Sequence, residues 1–524
     1  MYRLVLQSAR ARPIALVFAL AVACALLSGC RHHRRSAVRI VDPDLGTLEG
    51  RRFSAAELTE DVAFVRDHLE GKDVSPPPRA RAIPGSRVFV TLFAPGRPPV
   101  VTSGLGKNIG ESLVAAAEAA RTPDLSPAQL RIQLDVVTRR VKAKSHDDVG
   151  EPGRFGLLQR DAHGRFGFAL PTELFTRDLL GDEGEPELDV EGLESLVTER
   201  FGGACSTCTL ARFETVSVIE SGGSVQRLIG GLLPRPDPAK LDQAALRERI
   251  RLGADYLARM VGDDGKYVYI YDAMRDVDIM DDYSTIRHAG ATDALFETYA
   301  ELRDDANLVA GERALAYLDR RLRQLPPEGE VPERLYLADS GNAFAPIGGT
   351  GLSLIAFSAH AAVTGERTYL PRMQAMGRFL VQQLEPSGHF QPYFAPGVPI
   401  EKVKEVLYFP GEAMLGLLRL HAIDPQPVWL EAAQRAARYR LATPYEHPRD
   451  RHRDYWFALV LTELHALTHD PIWSERAFEI VEGTMIEQDD DERDVAEHPG
   501  VYDMLPRANP TSVALEAECA IASM

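Results

Sequence analysis

Five side chains able to move protons or hold anions fall within one eight-residue span: Asp281, Asp282, Tyr283, Arg287 and His288. A plain packing helix does not need such a density, so chemistry is expected to start here. The span runs into an apolar stripe, Ala291, Ala294, Leu295, Thr298 and Leu302, at the three- and four-residue spacing of an amphipathic helix. A second group is Glu412 in Tyr408-Phe409-Pro410-Gly411-Glu412-Ala413. Pro410 suits the first helical position, so the helix dipole would keep Glu412 ionised unless apolar walls raise its pKa. A third is Asp454-Tyr455-Trp456. Each has a plainer reading: Glu412 caps its own helix or pairs with an Arg, Arg287 and His288 form a buried network with Asp281, and Trp456 is core. The run His447, Arg449, Asp450, Arg451, His452 and Arg453 reads as a solvated loop, and no metal set is assigned.

Elements must bring these groups together, and the chain changes character along its 524 residues. Phe53 to Leu69 reads as a helix capped by Ser54. Arg87 to Phe93 alternates as a strand, a turn at Pro95 to Pro98 leads to Val100-Val101-Thr102, and a helix follows at Ile109 to Arg121. Arg131 to Val141 is another strand, and Gly156 to Phe168 forms a hairpin around Ala162-His163-Gly164. Gly104-Leu105-Gly106-Lys107-Asn108-Ile109-Gly110 has the spacing of neither nucleotide-binding loop, so no cofactor is assigned. After the prolines of Leu232 to Pro238, helices succeed one another at about 239–262, 284–303, 307–323, 348–364, 369–384, 410–422, 427–442, 452–468, 473–488 and 510–523. A Gly-aromatic segment recurs between them, Asp264-Gly265-Lys266-Tyr267 and Ser387-Gly388-His389-Phe390, as in a repeat of helical hairpins.

The start is an address. Arg3, Arg10 and Arg12 precede an apolar run from Ile14 to Leu27, shorter than the roughly 20 residues of a spanning helix. The closing Leu27-Ser28-Gly29-Cys30 resembles the lipobox of bacterial lipoproteins, which implies cleavage before Cys30, its lipidation and anchorage in the cell envelope, facing periplasm or exterior. An ordinary secretory signal or an uncleaved anchor is the alternative. Loss of those three arginines takes the net charge from -17 to -20, which argues against a nucleic-acid partner. Outside the cytoplasm, Cys205 and Cys208 can close a small disulfide, act as a redox pair or supply half of a zinc shell.

The strand, helix, strand and Gly-rich hairpin order of residues 55 to 225 resembles the AMMECR-type domain, a family that lends no firm activity. Residues 240 to 524, with Tyr283 to Gly290, Tyr408 to Ala413 and Asp454-Tyr455-Trp456, resemble the six-hairpin (α/α) toroid of glycosidases and sugar epimerases. The expected plan is an α+β domain over 53–231, a linker at 232–238 and an all-α (α/α) toroid of helical hairpins over 239–524, preceded by the signal (1–29) and the tether (30–52). Ten helices stand where a full toroid has twelve, so it is either open or cut short.

That likeness implies one funnel at the N-terminal ends of the inner helices, where Asp282, Glu412, Tyr283, Arg287 and His288 would be catalytic and Tyr408, Asp454 and Trp456 would bind substrate. Glycosidic cleavage needs one protonated and one ionised carboxyl group, here Glu412 and Asp282. Uronic-acid epimerisation or elimination would use Tyr283 or Glu412 as base and Arg287 on the sugar carboxylate. The partners expected are an oligo- or polysaccharide and, through Cys30, a membrane. A non-catalytic glycan- or protein-binding module is the competing class.

Overall fold

The structure, a computed structural model, describes residues 53–121, 126–149, 155–177, 179, 188–221, 224–228, 242–272, 277–279, 283–338, 344–397, 406–445, 450–487 and 516–522. The signal segment, the tether with Cys30, residues 182–187 of the acidic loop, the linker 232–238, Asp281, Asp282, His447 and Arg449 lie outside them. The chain forms two compact units. One holds the described residues from 53 to 228 with 271–272 and 277–278, the other 242–270 and those from 279 onward.

The first unit is α+β. In chain order it runs α1 (Ala55–Leu69), α2 (Pro78–Ala82), β1 (Val88–Phe93), β2 (Val100–Gly104), α3 (Ile109–Ala119), β3 (Arg131–Ala143), β4 (Phe155–Arg160), β5 (Phe166–Ala169), α4 (Pro171–Thr176), α5 (Val190–Phe201), β6 (Thr209–Ser221) and β7 (Ser224–Leu228). The strands make one antiparallel sheet ordered β2-β1-β3-β6-β4-β5, with β7 on β6. Alternation gives the sheet two apolar faces. Val88, Val90, Leu92, Ile132, Leu134 and Val136 pack with Leu58, Val62 and Val65 of α1 and Leu113 and Ala116 of α3, while Phe89, Val137, Leu158, Phe168 and Phe213 form a separate cluster. Ser54 caps α1 in a capping box, its Oγ accepting from the Glu57 amide at 3.2 Å while Glu57 accepts from the Ser54 amide at 2.7 Å. Cys205 and Cys208 are joined by a disulfide in the turn before β6.

The ribbon β8 (Ile270–Asp272) and β9 (Val277–Ile279) follows α6 (Gln243–Met260) in the chain, its residues 271–272 and 277–278 counting with the first unit. The second unit is a ring of helical hairpins: α6, α7 (Thr285–Leu302), α8 (Asp305–Arg321), the ribbon β10 (Leu322–Leu325) and β11 (Arg334–Leu337), β12 (Ala345–Pro346), α9 (Ile347–Thr364), α10 (Leu370–Gln382), β13 (Tyr393–Phe394), α11 (Phe409–Ile423), α12 (Pro427–Ala442), the short α13 (Asp450–Arg453), α14 (Tyr455–Thr468) and α15 (Pro471–Glu487). Helices α7, α9, α11 and α14 pack side by side as an inner layer, and α8, α10, α12 and α15 back them. The inner layer is parallel and in register. A Cβ on Gly349, third in α9, would meet Ile286, second in α7. One on Gly351 would meet Glu412 and Ala413 of α11, and one on Gly411 would meet Trp456 and Phe457 of α14. Residues 516–522 are helical and supply Ala517 and Ile521 to the same core. Among the described residues α9 alone is long and apolar enough to cross a membrane, but nearly all of it is covered by its neighbours, which makes it the central core helix of the ring.

The Gly-aromatic repeat is real geometry. Gly265 (φ +84°) and Gly388 (φ +97°) take the left-handed conformation that a side chain disfavours, and each faces a carbonyl of an outer helix, Arg313 O and Arg435 O. Tyr267 and Phe390 then bridge back to Val261, the C-cap of α6, and Leu384, two residues past the end of α10. One expectation is corrected. The covered face of α7 is Thr285, His288, Ala289, Thr292, Leu295 and Phe296, not the stripe through Ala291, Ala294, Thr298 and Leu302. His288 and Thr292 find partners inside the protein, which an apolarity pattern does not anticipate.

Candidate active site

The parallel register of the inner helices gathers their N-terminal turns at one end of the ring. At the start of α7, Ser284 caps the helix, accepting from the Arg287 amide at 3.4 Å. His288 lies in the first turn, buried, with Nε2 donating to Ala314 O at 2.9 Å and Nδ1 accepting from the Tyr283 hydroxyl at 2.5 Å. Tyr267 and Tyr317 pack on its ring, each with centroids 4.9 Å away. Burial pushes the imidazole down to about 4, so it is neutral at physiological pH. Tyr283 also accepts from the Tyr267 amide at 3.1 Å, and burial raises its phenol above the ordinary range. Arg287 points outward and donates to the Tyr269 hydroxyl at 2.6 Å.

Glu412 occupies the same position in α11. It is 4% exposed, and its Oε2 has no hydrogen-bond partner. The wall against it is the first turn of α9: a Cβ on Gly348 would come within 2.0 Å of Oε2, and one on Gly351 within 2.5 Å of the Glu412 carbonyl. Only glycine lets the two helices approach so closely. Burial, with the charge of Asp454 added, pushes the Glu412 carboxyl up to about 8. The pull of the helix dipole toward an ionised Glu412 is overcome by apolar walls, the exception the sequence had allowed.

Asp454 caps α14, accepting from the Phe457 amide at 3.3 Å, and is 1% exposed. Its other oxygen takes the Arg440 guanidinium at 3.2 Å and the Tyr445 hydroxyl at 3.1 Å. Burial raises Asp454 to about 6 against the pull of Arg440, so it is ionised at neutral pH while Glu412 is not. Arg440 also lies 3.8 Å over the Tyr445 ring, and beyond this pair opens a cavity of ≈ 660 Å³ that reaches Arg451, His452 and Arg476. Arg451 and Arg476 share Glu479.

Aromatic rings stand at every inner-helix start. Tyr408 precedes α11 and is 48% exposed, Phe344 lies just before α9 at 43%, Trp456 is half-buried in the first turn of α14, and Tyr283 precedes α7. The ring thus brings Tyr283, Arg287, His288, Tyr408, Glu412, Asp454 and Trp456 to the same end of its inner helices. Phe344, Arg440 and Tyr445 were not singled out in the sequence, although Phe344 stands just before a helix start as an aromatic and could have been found on that ground.

No protein-family profile and no curated protein matches the chain by sequence. Solved structures similar to about half of it include a D-mannose isomerase, at 12% identity over 53% of this chain and 83% of that one, TM-score 0.40. A sugar epimerase from a ruminal bacterium is 12% identical over 54% and 82%, TM-score 0.41. A family GH76 α-mannanase of Bacteroides thetaiotaomicron is 12% identical over 53% and 86%, TM-score 0.38.

Proposed function

We propose that the N-terminal end of the ring hydrolyses a glycan, with Glu412 as general acid and Asp454 as the ionised carboxyl group. The observation that carries this is the contrast between two buried carboxyl groups at one end of the ring: Glu412 keeps an oxygen with no hydrogen-bond partner, while Asp454 is held by Arg440 and Tyr445. At pH 7 a carboxyl held near 8 keeps its proton and one near 6 has lost it, the complementary pair that glycosidic cleavage requires. Asp454 is given this role here because Asp282, the second carboxyl group expected from the sequence, lies outside the described residues. Tyr408, Phe344 and Trp456 offer flat apolar faces for sugar rings to stack on. His288 and Tyr283 are positioning residues that hold the start of α7, and Arg287 is left to bind substrate, including the carboxylate of a uronic acid.

A second reading has its own support. Glu412 and Asp454 are almost wholly shielded, and Asp454 is already occupied by Arg440 and Tyr445, which suits a glycan- or protein-binding module without turnover. A polysaccharide-degradation and glycan-array screen of wild type beside Glu412→Gln and Asp454→Asn separates the two. Products that vanish in Glu412→Gln establish the enzyme; binding without products that survives both changes establishes the module.

The remaining readings are also proposals. Cleavage and lipidation at Cys30 would anchor the protein in a bacterial envelope, and Cys30→Ser should then stop labelled palmitate incorporation and release the chain from membranes. The AMMECR-type likeness of the α+β unit rests on its strand, helix and hairpin order.

A further inference from the structure

The α+β unit pairs its shielded arginines with acids: Arg66 with Glu220 at 2.6 Å, Arg79 with Asp61 at 2.8 Å, Arg200 with Glu173 at 2.6 Å and Arg212 with Asp148 at 3.1 Å. Arg87 breaks that pattern. It immediately precedes β1, its carbonyl accepting from the Val137 amide, and stands two residues before Phe89, so alternation places it on the sheet face of the Phe89, Leu158, Phe168 and Phe213 cluster. Its guanidinium carbon lies 3.8 Å over the Phe166 ring, Nη1 donates to Ser103 Oγ at 3.2 Å, and its buried Nε has no partner. Among the described residues no carboxylate stands within ion-pair distance of it.

The neighbours that do act on Arg87 make the charge worse. Arg140 is opposite Phe213 in the β3–β6 register, and Arg160 follows Leu158 by two in β4, so both share the face of Arg87. Burial, then repulsion from Arg160 and Arg140, pushes its guanidinium down to about 10. A shielded cation without a counter-charge is unfavourable, and Arg87 is such a cation. Forked donors beside a hydroxyl and phenyl rings are the equipment that receives a planar or tetrahedral oxyanion.

We propose that this face of the α+β sheet is an oxyanion-binding site, in which Arg87 and Ser103 hold the phosphate or carboxylate group of a small ligand against Phe166. The site is independent of the carboxyl pair in the ring. Titration calorimetry of sodium phosphate and, separately, sodium acetate into the full-length chain in detergent tests it, and the tighter of the two tells which oxyanion the site is built for. One saturable site is expected, weakened at least about 10-fold by Arg87→Met and by Arg87→Lys, which keeps the charge but loses the fork. Ser103→Ala should weaken it less, and Glu412→Gln should leave it unchanged. Without ligand, Arg87→Met should melt no lower than wild type by circular dichroism, because it removes a shielded, uncompensated charge. No saturable heat with either anion, or binding by folded Arg87→Met and Arg87→Lys equal to wild type, overturns the proposal.

Discussion

His288 and Glu412 are the fourth residues of two inner helices in the same ring, both buried and both rendered neutral near pH 7, yet they have opposite partner inventories. Both His288 nitrogens are engaged, by Tyr283 and by the Ala314 carbonyl. Glu412 keeps one oxygen without a partner, pressed against glycines that exist to make room for it. Burial alone therefore does not mark a functional group. A buried group whose hydrogen bonds are complete is scaffold, and one whose bonds are incomplete is available to a ligand or a proton.

The largest change expected comes from closing the space around Glu412. Gly351→Ala would drive a methyl into the Glu412–Ala413 backbone, which cannot step aside as a flexible side chain could, and should lower ring stability by about 3 kcal/mol in denaturant unfolding. Next, His288→Leu removes the acceptor of the Tyr283 hydroxyl and the donor to the Ala314 carbonyl, for a loss of about 2 kcal/mol, with ligand affinity following the folded fraction only.

The two groups should separate most cleanly in their pH dependence. Glu412 titrates higher in the folded chain, about 8 against 4.5, so its folded state holds the extra proton and stability falls as pH rises through that window. His288 titrates lower, about 4 against 6.5, so stability falls as pH drops through that window. Relative to wild type, Glu412→Gln should gain stability between pH 4.5 and about 8, by at most about 1.4 kcal/mol per pH unit. The deficit of His288→Leu should shrink on acidification below pH 6.5. Urea melts at four pH values read both slopes, and slopes of the same sign would erase the distinction. The smallest stability effect belongs to Tyr408→Ala, within about 0.5 kcal/mol because the ring is half-exposed, while glycan binding should fall if the aromatic rim receives sugars.

Much of the helical ring was legible because its helices carry caps, prolines and long apolar runs. The expected 284–303, 348–364, 410–422 and 427–442 lie within a residue of the helices observed at 285–302, 347–364, 409–423 and 427–442. The central strand β6 and helix α5 escaped notice: Arg212, Glu214 and Ser217 interrupt the apolar reading of a strand that is paired on both sides, and α5 follows an acidic loop with little apolar pattern. Asp454 and Trp456 were found as residues, but the break between α13 and α14 was not, because it depends on the Asp454 carboxyl capping a new helix. Partner inventories cannot be read from spacing at all, since Ala314, Arg440 and Gly348 approach from other helices. For that reason the sequence treated His288 and Glu412 alike.

Glu412 can act as a general acid only if it holds its proton at neutral pH. Infrared spectra of the carboxylic-acid C=O stretch, wild type minus Glu412→Gln, followed from pH 5 to pH 10, test this directly. A difference band from one protonated buried carboxyl is expected at pH 7 and should disappear with a midpoint near 8. A flat difference in that region at pH 7, with the carboxylate band of Glu412 already present, would contradict it.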